Sequence, residues 1–153
     1  MSLTTPANEA RIDSLISQMT LDEKIGQLNQ IHPYGQIAPE ALRKGQIGSM
    51  LNAAGALTGQ GFSESSSATK LNALQRMAVQ ESRLGIPLLF GRDVIHGYRT
   101  VFPIPLGLAA AFAPSLTEQA STVAAREASA DGIKWTFAPM VDLARDPRWG
   151  RVA

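Results

Sequence analysis

Residues 85–97 read Gly85-Ile86-Pro87-Leu88-Leu89-Phe90-Gly91-Arg92-Asp93-Val94-Ile95-His96-Gly97. Glycine and proline punctuate the start, an uninterrupted apolar run follows, and a polar cluster bounded by glycines closes it. A short continuous apolar run between turn signals is the pattern of a strand covered on both faces, as in a parallel sheet. Working outward, Ala68 to Arg83 carries Leu71, Leu74, Met77 and Ala78 at helical spacing and predicts a long amphipathic helix before this strand. After it, a loop rich in Gly and Pro runs to about Gly107. Pro114-Ser115-Leu116-Thr117-Glu118 then offers a capping box, predicting a helix to about Ala130 that Asp131-Gly132 stops. Ile133 to Ala138 joins β-branched and aromatic residues and predicts another strand. Gly48 to Asn52 predicts an earlier one, closed by Ala53-Ala54-Gly55.

Toward the N-terminus, residues 8–19 place Ile12, Leu15, Ile16 and Met19 on one helical stripe. Thr20-Leu21-Asp22-Glu23 matches a capping box and predicts a helix from Leu21 to about Gln30, with Ile25 and Leu28 inward. His32 to Gln36 ends that helix, Ala38 to Lys44 predicts a short one, and residues 58–67 predict a Gly- and Ser-rich loop. Residues 1–7 are expected to be disordered or cloning-derived.

The order is helix, helix, then about three strands alternating with helices. Such alternation requires parallel strands joined by right-handed crossovers, so the fold class is α/β. Eight strand–helix units take roughly 250 residues, and the chain has 153. The expectation is therefore either a small open α/β domain or part of a (β/α)8 barrel.

Composition narrows the function. Fourteen Lys+Arg stand against 13 Asp+Glu, a formal net charge of +1, which argues against a general nucleic-acid binder. The chain has no Cys, so disulfides, zinc–thiolate sites, iron–sulfur clusters and a cysteine nucleophile are excluded. The longest apolar run, Leu106 to Phe112, falls far short of the ~18 residues that span a bilayer, and Met1 to Pro6 lacks the features of a signal peptide. The two His have no acidic partners at ligand spacing, so no metal site is expected. Gly55, Gly59 and Gly61 match neither a dinucleotide fingerprint nor a phosphate loop.

In α/β sheets and barrels, ligands bind at the carboxyl ends of the strands. Two polar clusters take those positions: Gly91 to Gly97, and Asp142-Leu143-Ala144-Arg145-Asp146-Pro147-Arg148-Trp149-Gly150-Arg151. Carboxylates accept from paired hydroxyls, guanidinium groups donate in a fixed fork, and an indole face covers C–H groups. That set suits a sugar, and composition leaves a phosphate or carboxylate ligand open.

Met19-Thr20-Leu21-Asp22-Glu23-Lys24-Ile25-Gly26-Gln27-Leu28, Gly85-Ile86-Pro87 and Gly91 to Gly97 form an ordered series with four further blocks. These are Phe102-Pro103, Gly132-Ile133, Phe137-Ala138-Pro139 and Arg145-Asp146-Pro147-Arg148-Trp149-Gly150-Arg151. From about Ile12 to the last residue, the series resembles the N-terminal part of glycoside hydrolase family 3, of the bacterial β-glucosidase type. The resemblance implies the first portion of a TIM-barrel-like (β/α)8 domain across residues 1–153. It implies exo-acting hydrolysis of terminal non-reducing β-D-glucosyl residues with retention, using two carboxylates and no metal or organic cofactor. By position, Asp93 and Arg151 match sugar contacts, and Asp146, Arg148 and Trp149 match the scaffolding of a loop. The family's Lys-His pair, its nucleophilic Asp (often followed by Trp) and its acid/base carboxyl have no match here. Alone, the chain is thus expected to be inactive. The implied partner is a β-glucoside or short β-linked oligosaccharide, and the implied compartment is the periplasm.

A plainer reading stands beside this one. Asp93 caps a turn or pairs with Arg92 or Arg99, and His96 holds its own loop. The competing function is a non-catalytic small α/β module that binds carbohydrate or self-associates through an unclosed sheet.

Overall fold

The computed structural model describes residues 4–32, 38–51, 67–139, 143 and 145–150. The chain divides into two compact units, Met1–Leu89 and Phe90–Ala153. The first holds α1 (Pro6–Gln18), α2 (Leu21–Leu28), β1 (Gln30–Ile31), α3 (Pro39–Arg43), β2 (Ser49–Leu51) and α4 (Ser67–Gln80). β3 (Leu89–Arg92) starts at its last residue, and α5 (Pro105–Ala110), α6 (Pro114–Ala130) and β4 (Trp135–Thr136) complete the second.

In the first unit, Thr5 caps α1 by accepting from the Asn8 N–H, so Thr5 to Ala7 form a cap and first turn. The capping box of α2 is present as expected. Thr20 N–H donates to Glu23 Oε2 (2.8 Å), and Glu23 N–H donates to Thr20 Oγ1 (3.2 Å). The inward face expected of α2 is corrected, because Ile25 and Leu28 are 56% and 88% exposed. The buried residue is Gly26, seated against the backbone of Gly45 and Gln46. Contact made by bare backbone carries no hydrophobic pattern, so periodicity points to the wrong side of the helix. The stripe expected of α1 likewise buries no residue.

β1 replaces the expected end of α2. Asn29 closes the helix with its N–H on Gly26 O, and its own carbonyl accepts from Gly48 N–H (3.1 Å) and Ser49 N–H (3.3 Å). Gln30 and Ile31 then pair in parallel with Ser49 and Met50. A strand of two residues has too few positions to show a period. The core of this unit is Leu42, Ile47, Met50, Leu71, Ala78 and Leu88, with Met50 fully buried. Complete burial of a side chain such as Leu71 contributes roughly 1.5–3 kcal/mol. The α4 stripe is as expected, with Leu71 and Ala78 buried and Leu74 and Met77 half-buried. Gln75 on the same helix brackets Leu88 with both ends of its amide. It accepts from Leu88 N–H (2.7 Å) and donates to Leu88 O (3.0 Å), which places the chain as it enters β3. The loop expected over residues 58–67 lies outside the described residues up to Ser66.

In the second unit, β3 and β4 pair in parallel, Gly91 with Trp135 and Arg92 with Thr136. Gly91 accommodates the rings of Phe137 and Trp135, which a Cβ there would meet at 3.2–3.5 Å. α5 falls in the stretch expected to be loop up to Gly107. The capping box expected at the start of α6 is absent: Pro114 begins the helix two residues early, so Ala113 rather than Ser115 takes the cap position and makes no side-chain bond. α6 buries Ala120, Ala124 and Ala128, one turn apart. It ends in a Schellman motif: Ile133 N–H donates to Ala128 O (3.0 Å) and Gly132 N–H to Ser129 O (3.1 Å). Gly132 sits at φ 87°, a left-handed conformation that favours glycine. The strand expected over residues 133–138 is confined to Trp135–Thr136.

Candidate functional site

Asp93 is the first residue past the carboxyl end of β3, with its side chain exposed between buried Arg92 and buried Val94. A strand alternates its faces, so burying Arg92 and Val94 turns Asp93 outward. Neither alternative partner holds it. The Arg92 guanidinium lies 5.0 Å from the centroid of the Tyr98 ring. Arg99 is taken by Asp131, with Nη2 to Oδ1 at 2.7 Å and Nε to Oδ2 at 3.2 Å. Among the described residues, Asp93 makes no hydrogen bond or ion pair.

The chain after Asp93 is folded back and fastened. Phe102 N–H donates to His96 O (2.8 Å), and His96 Nδ1 donates to Phe102 O (3.0 Å), so the imidazole holds its own loop as expected. That bond places a proton on Nδ1. Gly97 and Val101 form an antiparallel bridge. Gly97 has φ 120°, and a Cβ there would lie 2.0 Å from Thr100 O, so only glycine fits.

The tip of this hairpin is fixed by groups that sequence reading did not single out. Glu127 Oε2 accepts from Arg99 N–H (2.8 Å) and Thr100 N–H (2.9 Å), and its Oε1 accepts from the Thr100 hydroxyl (2.6 Å). These bonds, the Thr100 hydroxyl foremost, hold the Glu127 carboxyl below its ordinary pKa. Asp131 is buried. Burial pushes the Tyr98 phenol up to about 12, and the Asp131 carboxylate acts in the same direction. The available signal was the spacing of Glu127 and Asp131, one turn apart at the end of a helix.

In the second cluster, Asp146 Oδ1 accepts from Arg148 N–H (2.9 Å) and Arg148 Nε (2.9 Å), and the two side chains form an ion pair. The Arg148 guanidinium lowers the Asp146 pKa. Asp146 and Arg148 thus hold each other and shape their own turn, and Trp149 is 37% exposed. Among the described residues, no hydrogen bond or ion pair joins this loop to Asp93. Arg151 and Asp142 lie outside the described residues.

In the first unit, the cavity beside Glu23, Leu42, Ser82 and Arg83 measures about 20 Å³, room for a single water and far too small for a sugar. The second unit presents, at a strand end, a carboxylate without a partner among the described residues, on a loop whose backbone is fastened. Such a group accepts hydrogen bonds from a ligand's hydroxyls.

The model of the glycosyl hydrolase family 3 N-terminal domain matches residues 20–153. The periplasmic beta-glucosidase of Salmonella typhimurium is 43% identical over 155 residues, covering 99% of this chain and 19% of that protein. A crystal structure of beta-glucosidase from Listeria innocua in complex with glucose is similar at 40% identity and a TM-score of 0.75, covering 94% of this chain and 20% of that one. The exo-1,3/1,4-beta-glucanase of a Pseudoalteromonas species is 35% identical with a TM-score of 0.78, covering 96% and 19%. The chain thus spans about a fifth of the length of the curated relatives it matches.

Proposed function

Because the chain belongs to glycosyl hydrolase family 3, within its N-terminal domain, we propose that it supplies part of the glucose subsite of a retaining, exo-acting β-glucosidase. Asp93 accepts hydrogen bonds from hydroxyls of the terminal non-reducing sugar, and Arg151 donates to the same sugar. The nucleophile and the acid/base belong to other parts of the enzyme, so these 153 residues alone are inactive. Retention needs two carboxyl groups about 5–5.5 Å apart, one attacking the anomeric carbon and one protonating the leaving oxygen. Asp93 does neither. Its charge orients the ring for that attack. The periplasmic name of the Salmonella relative supports a periplasmic location.

The observation that carries the reading is Asp93 itself: an exposed carboxylate at the end of β3, without a partner among the described residues, on a fastened loop. No described residue uses its oxygens, which leaves them open to a ligand's hydroxyls. The test is hydrolysis of an aryl β-glucoside by these 153 residues and by the whole polypeptide. The shorter chain should give no turnover. In the longer one, Asp93→Asn should lower kcat/KM on the order of a hundredfold, since two hydrogen bonds to a charged group are each worth about 1.5 kcal/mol or more. Turnover by the short chain that Asp93→Asn abolishes would sink the reading.

A second reading, self-association of the isolated chain, has its own support. Leu21, Ile25 and Leu28 follow one another along α2 and are 72%, 56% and 88% exposed. Sedimentation velocity across concentrations should show a dimer or larger species, and Ile25→Glu should return it to monomer.

A further inference from the structure

We propose that Glu127 and, through Arg99, Asp131 are positioning residues for Asp93. The last turn of α6 fixes the 96–102 hairpin, and with it the direction in which the Asp93 carboxylate meets a sugar hydroxyl. This inference rests on the reading of Asp93 as a sugar contact.

Both carboxylates are unfavourably placed for the helix that carries them. Glu127 and Asp131 stand at the C-terminal end of α6, where the helix dipole opposes negative charge. Five hydrogen bonds from the hairpin tip offset that cost: three to Glu127 and two to Asp131. Both backbone N–H groups at the tip are used, so the latch holds the main chain as well as side chains. From the tip, the constraint passes down a short, stiff path. The Gly97–Val101 bridge and the paired His96–Phe102 bonds fasten the base of the hairpin. Tyr98, buried inside it, lies under the guanidinium of Arg92, which directly precedes Asp93. Asp93 therefore lies between β3 and a hairpin whose tip the end of α6 fastens.

The test uses aryl β-glucoside kinetics and competitive inhibition by glucose in the whole polypeptide, with amide hydrogen exchange at Arg99 and Thr100. Glu127→Ala should raise KM and the glucose inhibition constant about tenfold or more, given that small misplacements at reacting groups cost up to about a hundredfold. Exchange at both amides should quicken. Glu127→Gln should restore most of the loss, because its Oε1 accepts the two N–H groups and its amide donates to the Thr100 hydroxyl. Added to Asp93→Asn, Glu127→Ala should cost little further, since the two act as one unit. Should Glu127→Ala fail to fold, Thr100→Val removes a single latch bond and should raise KM by about two- to threefold.

A lowered Tm with unchanged KM and glucose inhibition would overturn the proposal and make Glu127 merely structural. Full additivity with Asp93→Asn would do the same. If Asp93→Asn itself changes neither constant, the subsite reading fails first and the positioning role falls with it. If Asp93→Asn is damaging and Glu127→Ala is not, the positioning role fails alone.

Discussion

Gly26→Ala sets two physical effects against each other, and the structure decides the sign. In the interior of an exposed helix, alanine in place of glycine stabilises by about 0.8–1 kcal/mol. At Gly26 the added Cβ would lie 1.9 Å from Gly45 O, 2.7 Å from Gln46 Cα and 2.9 Å from Gly45 C. All three atoms are backbone, so no side chain can swing aside, and α2 must withdraw by more than an ångström. Gly48 also lies close to the same helix, since a Cβ there would sit 2.3 Å from Gln27 O. Withdrawal would stretch Gly48 N–H to Asn29 O (3.1 Å), Ser49 N–H to Asn29 O (3.3 Å) and Asn29 Nδ2 to Gln46 O (2.9 Å). Overpacking costs typically 1–3 kcal/mol, and weakening such bonds adds about 1–2 kcal/mol. After the propensity gain, the net loss is about 1–4 kcal/mol. Urea denaturation followed by circular dichroism should show the midpoint falling by roughly 0.5–2 M. Gly150→Ala, where nothing lies within 4 Å of the new Cβ, serves as the control and should shift it little. A midpoint that stays or rises for Gly26→Ala would refute the account of how α2 is seated.

Single groups give three more predictions. Glu23 is lowered from 4.5 to about 2 by hydrogen bonds from Arg83 and Thr20. Its folded pKa is depressed, so its contribution is complete above the unfolded value and fades as pH falls from about 4.5 to 2. Glu23→Gln should flatten the urea midpoint across that window. Tyr98 is raised from 10 to about 12, so its contribution is complete below pH 10 and fades as pH climbs toward 12. Ultraviolet titration should show a late phenolate transition that Tyr98→Phe removes. Gln75→Ala should cost about 2–4 kcal/mol, because it leaves both backbone groups of buried Leu88 without their partner. A loss under about 0.5 kcal/mol would mean that those groups are satisfied by other means.

Elements with strong local chemistry were legible in the sequence. The Thr20–Glu23 capping box, the Leu71–Ala78 stripe and the Asp131-Gly132 stop each act within a few residues, so their pattern survives without tertiary context. The misreadings have separate causes. Ile25 and Leu28 read as inward because side chains usually make the contact, whereas α2 is seated on Gly26. β1 depends on its partner strand, and Pro114 displaces the expected cap of α6. At the site, Asp93 stands out by its place after a strand. The latch from Glu127 to Arg99 and Thr100 joins residues 28 and 27 positions apart, beyond the reach of any local pattern.

The inner face of α6 is built from Ala120, Ala124 and Ala128. A side chain of one methyl leaves little to trim, so this face is spared the cavities that weaken ordinary cores. It fails in one direction only, by being filled. Each added methylene lifts the helix as a lever would, and the far end of that lever carries Glu127 and Asp131. Variation on this face would accordingly register first as a loosening of the hairpin that Glu127 and Asp131 hold, well before the helix itself is lost.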